Sequence, residues 1–193
     1  MQNICVFCGS SSGNNEIYTT ISRELGALIA KREKQLVYGG GNVGLMGVIA
    51  DEVLAHGGNV IGVIPHFLFD WEVGHEGLTE LIKVESMHER KLLMSKKADA
   101  FIAMPGGLGT LEELSEILTW IQLSIVQKPV GILNINGFYD TLISQMDHMV
   151  SEGFLKQENR DMLISSNNPK DLLNKLENYK IQPIKKWINP NQT

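Results

Sequence analysis

Cysteine is nearly absent, with two residues in a chain of 193, Cys5 and Cys8. One pair cannot build the disulfide framework that small secreted domains rely on. Their C-x-x-C spacing has the form of a redox motif, but redox pairs sit at a helix start, where the dipole lowers a thiol pKa. Residues 3–8 instead read as a buried strand, on which positions three apart point to opposite faces. The two thiols are therefore expected to be small apolar core residues in a reducing cytoplasm. Basic charge is also short: 17 Lys and Arg against 22 Asp and Glu give a formal charge of −5. That excludes a general nucleic-acid binder, which needs a basic face to displace counterions. A single anionic ligand is still compatible, because a few local amides and cations suffice. No long apolar run and no basic leader with a cleavage-type segment is seen, so neither membrane insertion nor secretion is expected.

What is present is alternation. Strand-like apolar runs at Asn3–Cys8, Gln35–Tyr38, Asn59–Ile64, Leu81–Val84, Ala100–Met104 and Pro129–Leu133 are separated by segments with helical spacing. The helical segments are Asn14–Arg32, Leu45–His56, Met87–Lys97, Thr110–Val126, Phe138–Ser151 and a weaker one near Lys170–Tyr179. Continuous apolar strands alternating with helices mean a mainly parallel sheet covered on both faces. The expected fold is an α/β, Rossmann-like doubly wound sheet forming a single domain over residues 1–182, with an irregular tail at 183–193. Ligand is expected beyond the carboxyl ends of the strands. The stretch His66–Thr79 has no clean period and carries Phe67, Phe69 and Trp71 beside Asp70, Glu72, His75 and Glu76. A loop of that length in a compact domain is usually functional or mobile.

Three glycine-containing turns follow expected strands: Cys8–Gly13 with Gly9 and Ser10, Gly39–Gly44 with Gly40 and Gly41, and Pro105–Thr110. All three emerge at one edge of such a sheet, which points to a nucleotide-sized groove. The third is the sharpest. Gly106, Gly107 and Gly109, flanking Leu108, let backbone amides approach an anion, and Thr110 opens a helix whose free N–H groups attract phosphate. It is no P-loop, since the lysine and its Ser/Thr neighbour are missing. Glu112 and Glu113 follow at once. Thr110-x-x-Glu113 has the form of a capping box, in which Glu113 closes back on the cap residue's amide. A chemical role is the other reading. Two carboxylates beside a phosphate are repelled by about 4 kcal/mol per unit-charge pair at 4 Å and an effective dielectric of 20. Glycosidic cleavage gives a reason to tolerate this, because a carboxylate stabilises the oxocarbenium-like sugar and orients water. Met87-His88-Glu89-Arg90-Lys91 is either a solvated charged face or a device that turns Arg90 and Lys91 onto phosphate or ribose oxygens.

These residues resemble the LOG ("Lonely Guy") family of phosphoribohydrolases, often labelled lysine decarboxylases. The resemblance rests on Phe7-Cys8-Gly9-Ser10-Ser11, Tyr38-Gly39-Gly40-Gly41-x-x-Gly44-Leu45-Met46-Gly47, Met87-His88-x-Arg90-Lys91 and Pro105-Gly106-Gly107-x-Gly109-Thr110-x-x-Glu113. It continues through Thr119-Trp120-x-Gln122-Leu123 and Lys128-Pro129-Val130-Gly131. It implies hydrolysis of the N-glycosidic bond of a nucleoside 5′-monophosphate, either AMP or an N6-modified AMP of cytokinin type. It further implies that Gly106 to Thr110 hold the phosphate, that Arg90 with Glu112 and Glu113 forms the catalytic centre, and that Lys91 assists. Glu72 is the best match for a ligand-contacting glutamate before the Met-His-x-Arg-Lys motif. No metal or organic cofactor and at least a homodimer, with the site near the subunit interface, also follow from the resemblance. The segment Asp70–Glu76 departs from the family pattern in lacking a basic residue and a proline. A decarboxylase reading lacks its Schiff-base lysine: Lys31, Lys34, Lys96 and Lys97 lie on helices or at helix ends with no pyridoxal setting. The acid that protonates the departing base is open between Asp70, Glu72, His75 and His88. A non-catalytic nucleotide sensor or carrier on the same fold is the competing reading.

Overall fold

Every expected strand forms, and the helices lie between them as the apolar periodicities require. The computed structural model describes residues 1–69 and 74–180. The expected tail at 183–193 and the candidate Glu72 lie outside the described residues. In chain order the elements are β1 (Asn3–Phe7), α1 (Glu16–Lys31), β2 (Gln35–Tyr38), α2 (Gly44–Ala55), β3 (Asn59–Pro65), a short α3 (His66–Phe69) and β4 (Glu80–Val84). They continue with α4 (Met87–Lys97), β5 (Ala100–Ala103), α5 (Leu108–Gln122), β6 (Val130–Leu133), α6 (Asp140–Ser151), a short α7 (Gln157–Arg160), β7 (Leu163–Ser166) and α8 (Pro169–Glu177).

The sheet runs in the order β4-β3-β2-β1-β5-β6-β7, and every pairing is parallel. The chain therefore winds outward from β1 to β4, then returns to β1's other side and winds outward to β7. The carboxyl ends of β1 and β5 flank the point of reversal, where a crevice opens in sheets of this kind.

Side-chain alternation along β1 divides the core. Ile4, Val6 and Cys8 pack with Leu25 and Ile29 of α1, Ile49 and Val53 of α2, and Leu172 and Leu176 of α8. Cys5 and Phe7 face the other way, onto Met94 of α4, Leu114 and Ile117 of α5, and Met146 of α6. The two thiols are free, buried and on opposite faces, as strand geometry requires. Each large apolar side chain buried this way contributes roughly 1.5–3 kcal/mol.

Three local expectations change. The helix after β5 starts at Leu108 rather than Thr110, with Gly107 as its N-cap and no side-chain cap bond. The capping box on Thr110 therefore does not form the helix start. Its hydroxyl instead packs over Gly106, where a Cβ would collide with it. A seventh strand, Leu163–Ser166, pairs with β6 beyond the last expected one. Within the irregular stretch, His66–Phe69 forms a helical turn and Gly74 bridges to Gly41.

Candidate active site

At the point of reversal three strand ends and two helix starts meet. The turns after β1 and β5 are in direct backbone contact. The Gly9 amide donates to the Pro105 carbonyl at 3.1 Å, and a Cβ on Gly9 would come within 3.3 Å of the Gly106 Cα. The Gly9 carbonyl in turn accepts from the Leu45 amide at 3.0 Å, which ties the start of α2 into the same assembly. From beneath, the Tyr139 hydroxyl donates to the Met104 carbonyl at 2.6 Å, just before the Pro105–Gly106 turn.

A cleft of about 290 Å³ opens above these turns, near the lower end of the ~300–1,000 Å³ common for ligand sites. On the β5 side it is lined by Gly107, Leu108, Gly109, Thr110, Glu112 and Glu113, and in the middle by Val6, Phe7, Cys8, Gly9 and Ser10. On the β2–β3 side Gly39, Met46, Leu68, Met87 and Arg90 complete it. The α5 end is electropositive by construction: the first-turn amides of a helix lack intrahelical acceptors and carry the positive end of its dipole. A Cβ on Gly107 or Gly109 would meet no atom of the chain within 4 Å, and neither residue has a positive φ. The chain's own packing and backbone thus make no demand for glycine at these two positions. Close approach of something outside the chain would.

Arg90 is 5% exposed and held on two sides. Its Nε donates to the Val63 carbonyl at 3.0 Å and its Nη2 to the Gly39 carbonyl at 2.8 Å, joining it to β3 and to the turn after β2. A Cβ on Gly39 would collide with this guanidinium. Arg90 therefore turns inward, and the solvated-face reading fails for it. Lys91, one residue on, is 9% exposed and lies against α5, where Nζ donates to Glu112 at 2.5 Å and to Glu116 at 3.1 Å. Burial alone would lower its pKa, but its hydrogen bonds to the Glu112 and Glu116 carboxylates, with their charge, outweigh burial and raise the value. Glu112 and Glu116 are four apart and share one side of α5, as Gly109 and Glu113 share another. The adjacent carboxylates have accordingly diverged. Glu112 is paired with Lys91 at the cleft edge, while Glu113 lies near enough to Cys8 to help burial push that thiol far above its ordinary range.

Of the sequence candidates, the structure brings Gly9, Ser10, Arg90, Gly107, Leu108, Gly109, Thr110, Glu112 and Glu113 to one cleft. Gly106 and Lys91 support it from behind. Gly40 and Gly41 do not line it: the Gly40 carbonyl accepts from His75 and Gly41 is bridged to Gly74. Neither His75 nor His88 lines the cleft either. His75 is buried with its Nε2 on Asp51, and His88 is exposed. The apolar liners Met46, Leu68 and Met87 were missed, because a methionine at helical spacing carries the same pattern in a core as in a binding wall.

The family profile described as "Possible lysine decarboxylase" matches residues 46–176. Curated relatives carry another name. A protein of Arabidopsis thaliana named cytokinin riboside 5′-monophosphate phosphoribohydrolase LOG1 is 48% identical over 95% of this chain and 89% of its own. The Oryza sativa (subsp. japonica) protein named LOG is 50% identical over 91% of this chain and 73% of its own. The chain belongs to the LOG family. Among solved structures, the molybdenum cofactor binding protein from Rippkaea orientalis has a TM-score of 0.69 at 22% identity, over 91% of this chain and 95% of that one. The Moco carrier protein from Chlamydomonas reinhardtii has a TM-score of 0.65 at 20% identity, over 91% and 99%. At that identity they establish the fold only. The profile's description does not fit this LOG-family cleft: pyridoxal-dependent decarboxylation needs a Schiff-base lysine, and among the described residues no lysine lines it.

Proposed function

We propose that this chain hydrolyses the N-glycosidic bond of a nucleoside 5′-monophosphate, releasing the free base and ribose 5-phosphate. The carrying observation is the open start of α5, whose glycines are not required by the chain's own packing, with Glu113 one turn further along and Arg90 lining the same cleft. The phosphate sits on the Gly107–Thr110 amides, and Gly9 and Ser10 border the sugar. Binding energy from this non-reacting end holds the anomeric carbon in place. Glu113 faces the ribose, stabilises the developing oxocarbenium charge and orients water. The water oxygen bonds to C1′ as the C1′–N bond breaks. The bonding pair leaves with the base nitrogen, and one water proton ends on the base.

Glu112 is tied to Lys91 at the cleft edge, and of the adjacent pair Glu113 carries the chemistry. Arg90, immobilised on two carbonyls, orients that carboxylate or a ribose hydroxyl. The base is an N6-modified adenine of cytokinin type, the class in the relatives' names, or adenine itself. The protein acts in the cytoplasm, where two buried free thiols are at home. It acts as a homodimer: Leu108, Leu123 and Ile125, exposed at the two ends of α5, are surfaces a partner subunit would cover. Leu108 also lines the cleft, so that partner would stand at its mouth.

The experiment is to incubate purified protein with AMP and with N6-isopentenyl-AMP and to separate the products by chromatography. Free base and ribose 5-phosphate in equal amounts are expected. Binding of both nucleotides without cleavage of either would make the protein a carrier or sensor instead.

A further inference from the structure

Histidine at position 75 lies outside the cleft, yet it is among the few buried polar side chains of the fold, 7% exposed. Both ring nitrogens are engaged. Nε2 is 2.9 Å from Asp51 Oδ1 on α2, and Nδ1 accepts the Gly77 amide at 3.1 Å. Because Nδ1 accepts, the proton resides on Nε2 and is donated to Asp51. The His75 amide also donates to the Gly40 carbonyl, at 2.9 Å. One residue thus fastens the β3–β4 connection both to the turn after β2 and to α2.

The fastening reaches the cleft through a short series of contacts. Gly74, next to His75, donates its amide to the Phe69 carbonyl at 2.8 Å, and a Cβ on Gly74 would run into the Phe69 ring. Lys83 also packs over that ring, its ammonium 3.6 Å from the centroid. Phe69 is adjacent to Leu68, one of the apolar liners of the β2–β3 side. The strand order puts this side two and three strands away from β5, where the phosphate sits.

We infer that His75, through its bond to Asp51, is a positioning residue that holds the Leu68 wall against the base end of the bound nucleotide. This rests on the hydrolase reading above. A side chain that acts only there should govern how well the nucleotide binds. It should leave untouched both the bond-breaking step and the grip on the sugar phosphate.

The test compares His75→Ala, Asp51→Ala and Asp51→Asn with the wild-type chain. Three quantities are measured: AMP hydrolysis kinetics, the inhibition constant of ribose 5-phosphate, and AMP binding by calorimetry. Both alanine variants should raise KM and the AMP dissociation constant about five- to tenfold, with kcat and the ribose 5-phosphate constant within about twofold. Asp51→Asn keeps an acceptor oxygen for Nε2–H and should restore wild-type values. KM unchanged in both alanine variants overturns the inference. So does a fall in kcat, which would make His75 part of the chemistry, or a parallel loss of all three quantities that Asp51→Asn fails to rescue. If the wild-type chain binds AMP without cutting it, the hydrolase reading fails, while the calorimetric comparison still decides the role of His75.

Discussion

Gly109→Ala separates what the chain needs from what a ligand needs. Gly109 is the second residue of α5, has no positive φ, and offers an added methyl no protein atom within 4 Å. Replacing glycine by alanine inside a helix gains roughly 0.5–1 kcal/mol, and a first-turn position should realise about half of that. For a chain of this size about 1 kcal/mol moves Tm by ~2–4 °C, so differential scanning calorimetry without ligand should show a rise of about 0.5–2 °C. On the proposed binding mode the same methyl projects where the phosphate would rest. Calorimetric titration with AMP should show at least a tenfold loss of affinity, about 1.4 kcal/mol. Gly106→Ala is the counter-case, since its Cβ would strike the Thr110 side chain and come 2.9 Å from the Gly9 nitrogen. It should cost about 1–3 kcal/mol of stability. A Gly109→Ala protein that binds AMP as tightly as wild type would remove the anion from the α5 amides and, with it, the reasoning about Glu113.

Three more outcomes are expected. Glu113→Gln should lower kcat on AMP by about 100-fold or more, the scale of losing one electrostatic stabiliser, while AMP affinity stays within about threefold. Arg90→Lys cannot reach both the Val63 and Gly39 carbonyls with a planar fork. It should lose turnover and, by leaving a buried acceptor unmade, about 1–3 kcal/mol of stability in thermal melts. Lys91→Met should destabilise by about 1–2 kcal/mol at neutral pH, below the cost of breaking a fully buried pair because Glu112 is 54% exposed. Folded Lys91 holds its proton more tightly than the unfolded chain does. Its stabilising share is complete below the ordinary value of 10.5 and is lost as pH rises through the raised folded value. The Tm gap between wild type and Lys91→Met should therefore narrow as melts are taken above that pH.

Much of the site was legible because its chemistry is carried by backbone and spacing. The Gly106–Thr110 turn announces itself wherever three glycines precede a helical period. Arg90 could be singled out beside Lys91, although whether the pair faced water was open until the carbonyls of Val63 and Gly39 were seen to claim the guanidinium. Thr110-x-x-Glu113 misled for a physical reason. Glycine at position 107 can cap a helix without a side chain, so α5 starts two residues before the only residue that looks like a cap. β7 was missed because only Leu163 and Ile164 are apolar and Ser165-Ser166 follow; an edge strand of four residues leaves too little periodicity to detect. Gly40 and Gly41 read as ligand turns but serve β-bridge and loop closure instead. Asp51 carried no signal at all, since a carboxylate on a solvated helix face is ordinary until its partner is known.

The contact between Gly9 and Gly106 has a consequence for altering substrate range. With no space for even a methyl group between the two turns, and with Leu45 bonded to the Gly9 carbonyl, the floor of the cleft is built as a single backbone plate. On the proposed binding mode, a bulkier ribose or a second phosphate would not be admitted by loosening one turn alone. Redesign toward other bases has its handle at the opposite margin, where the liners Leu68 and Met87 are only partly buried.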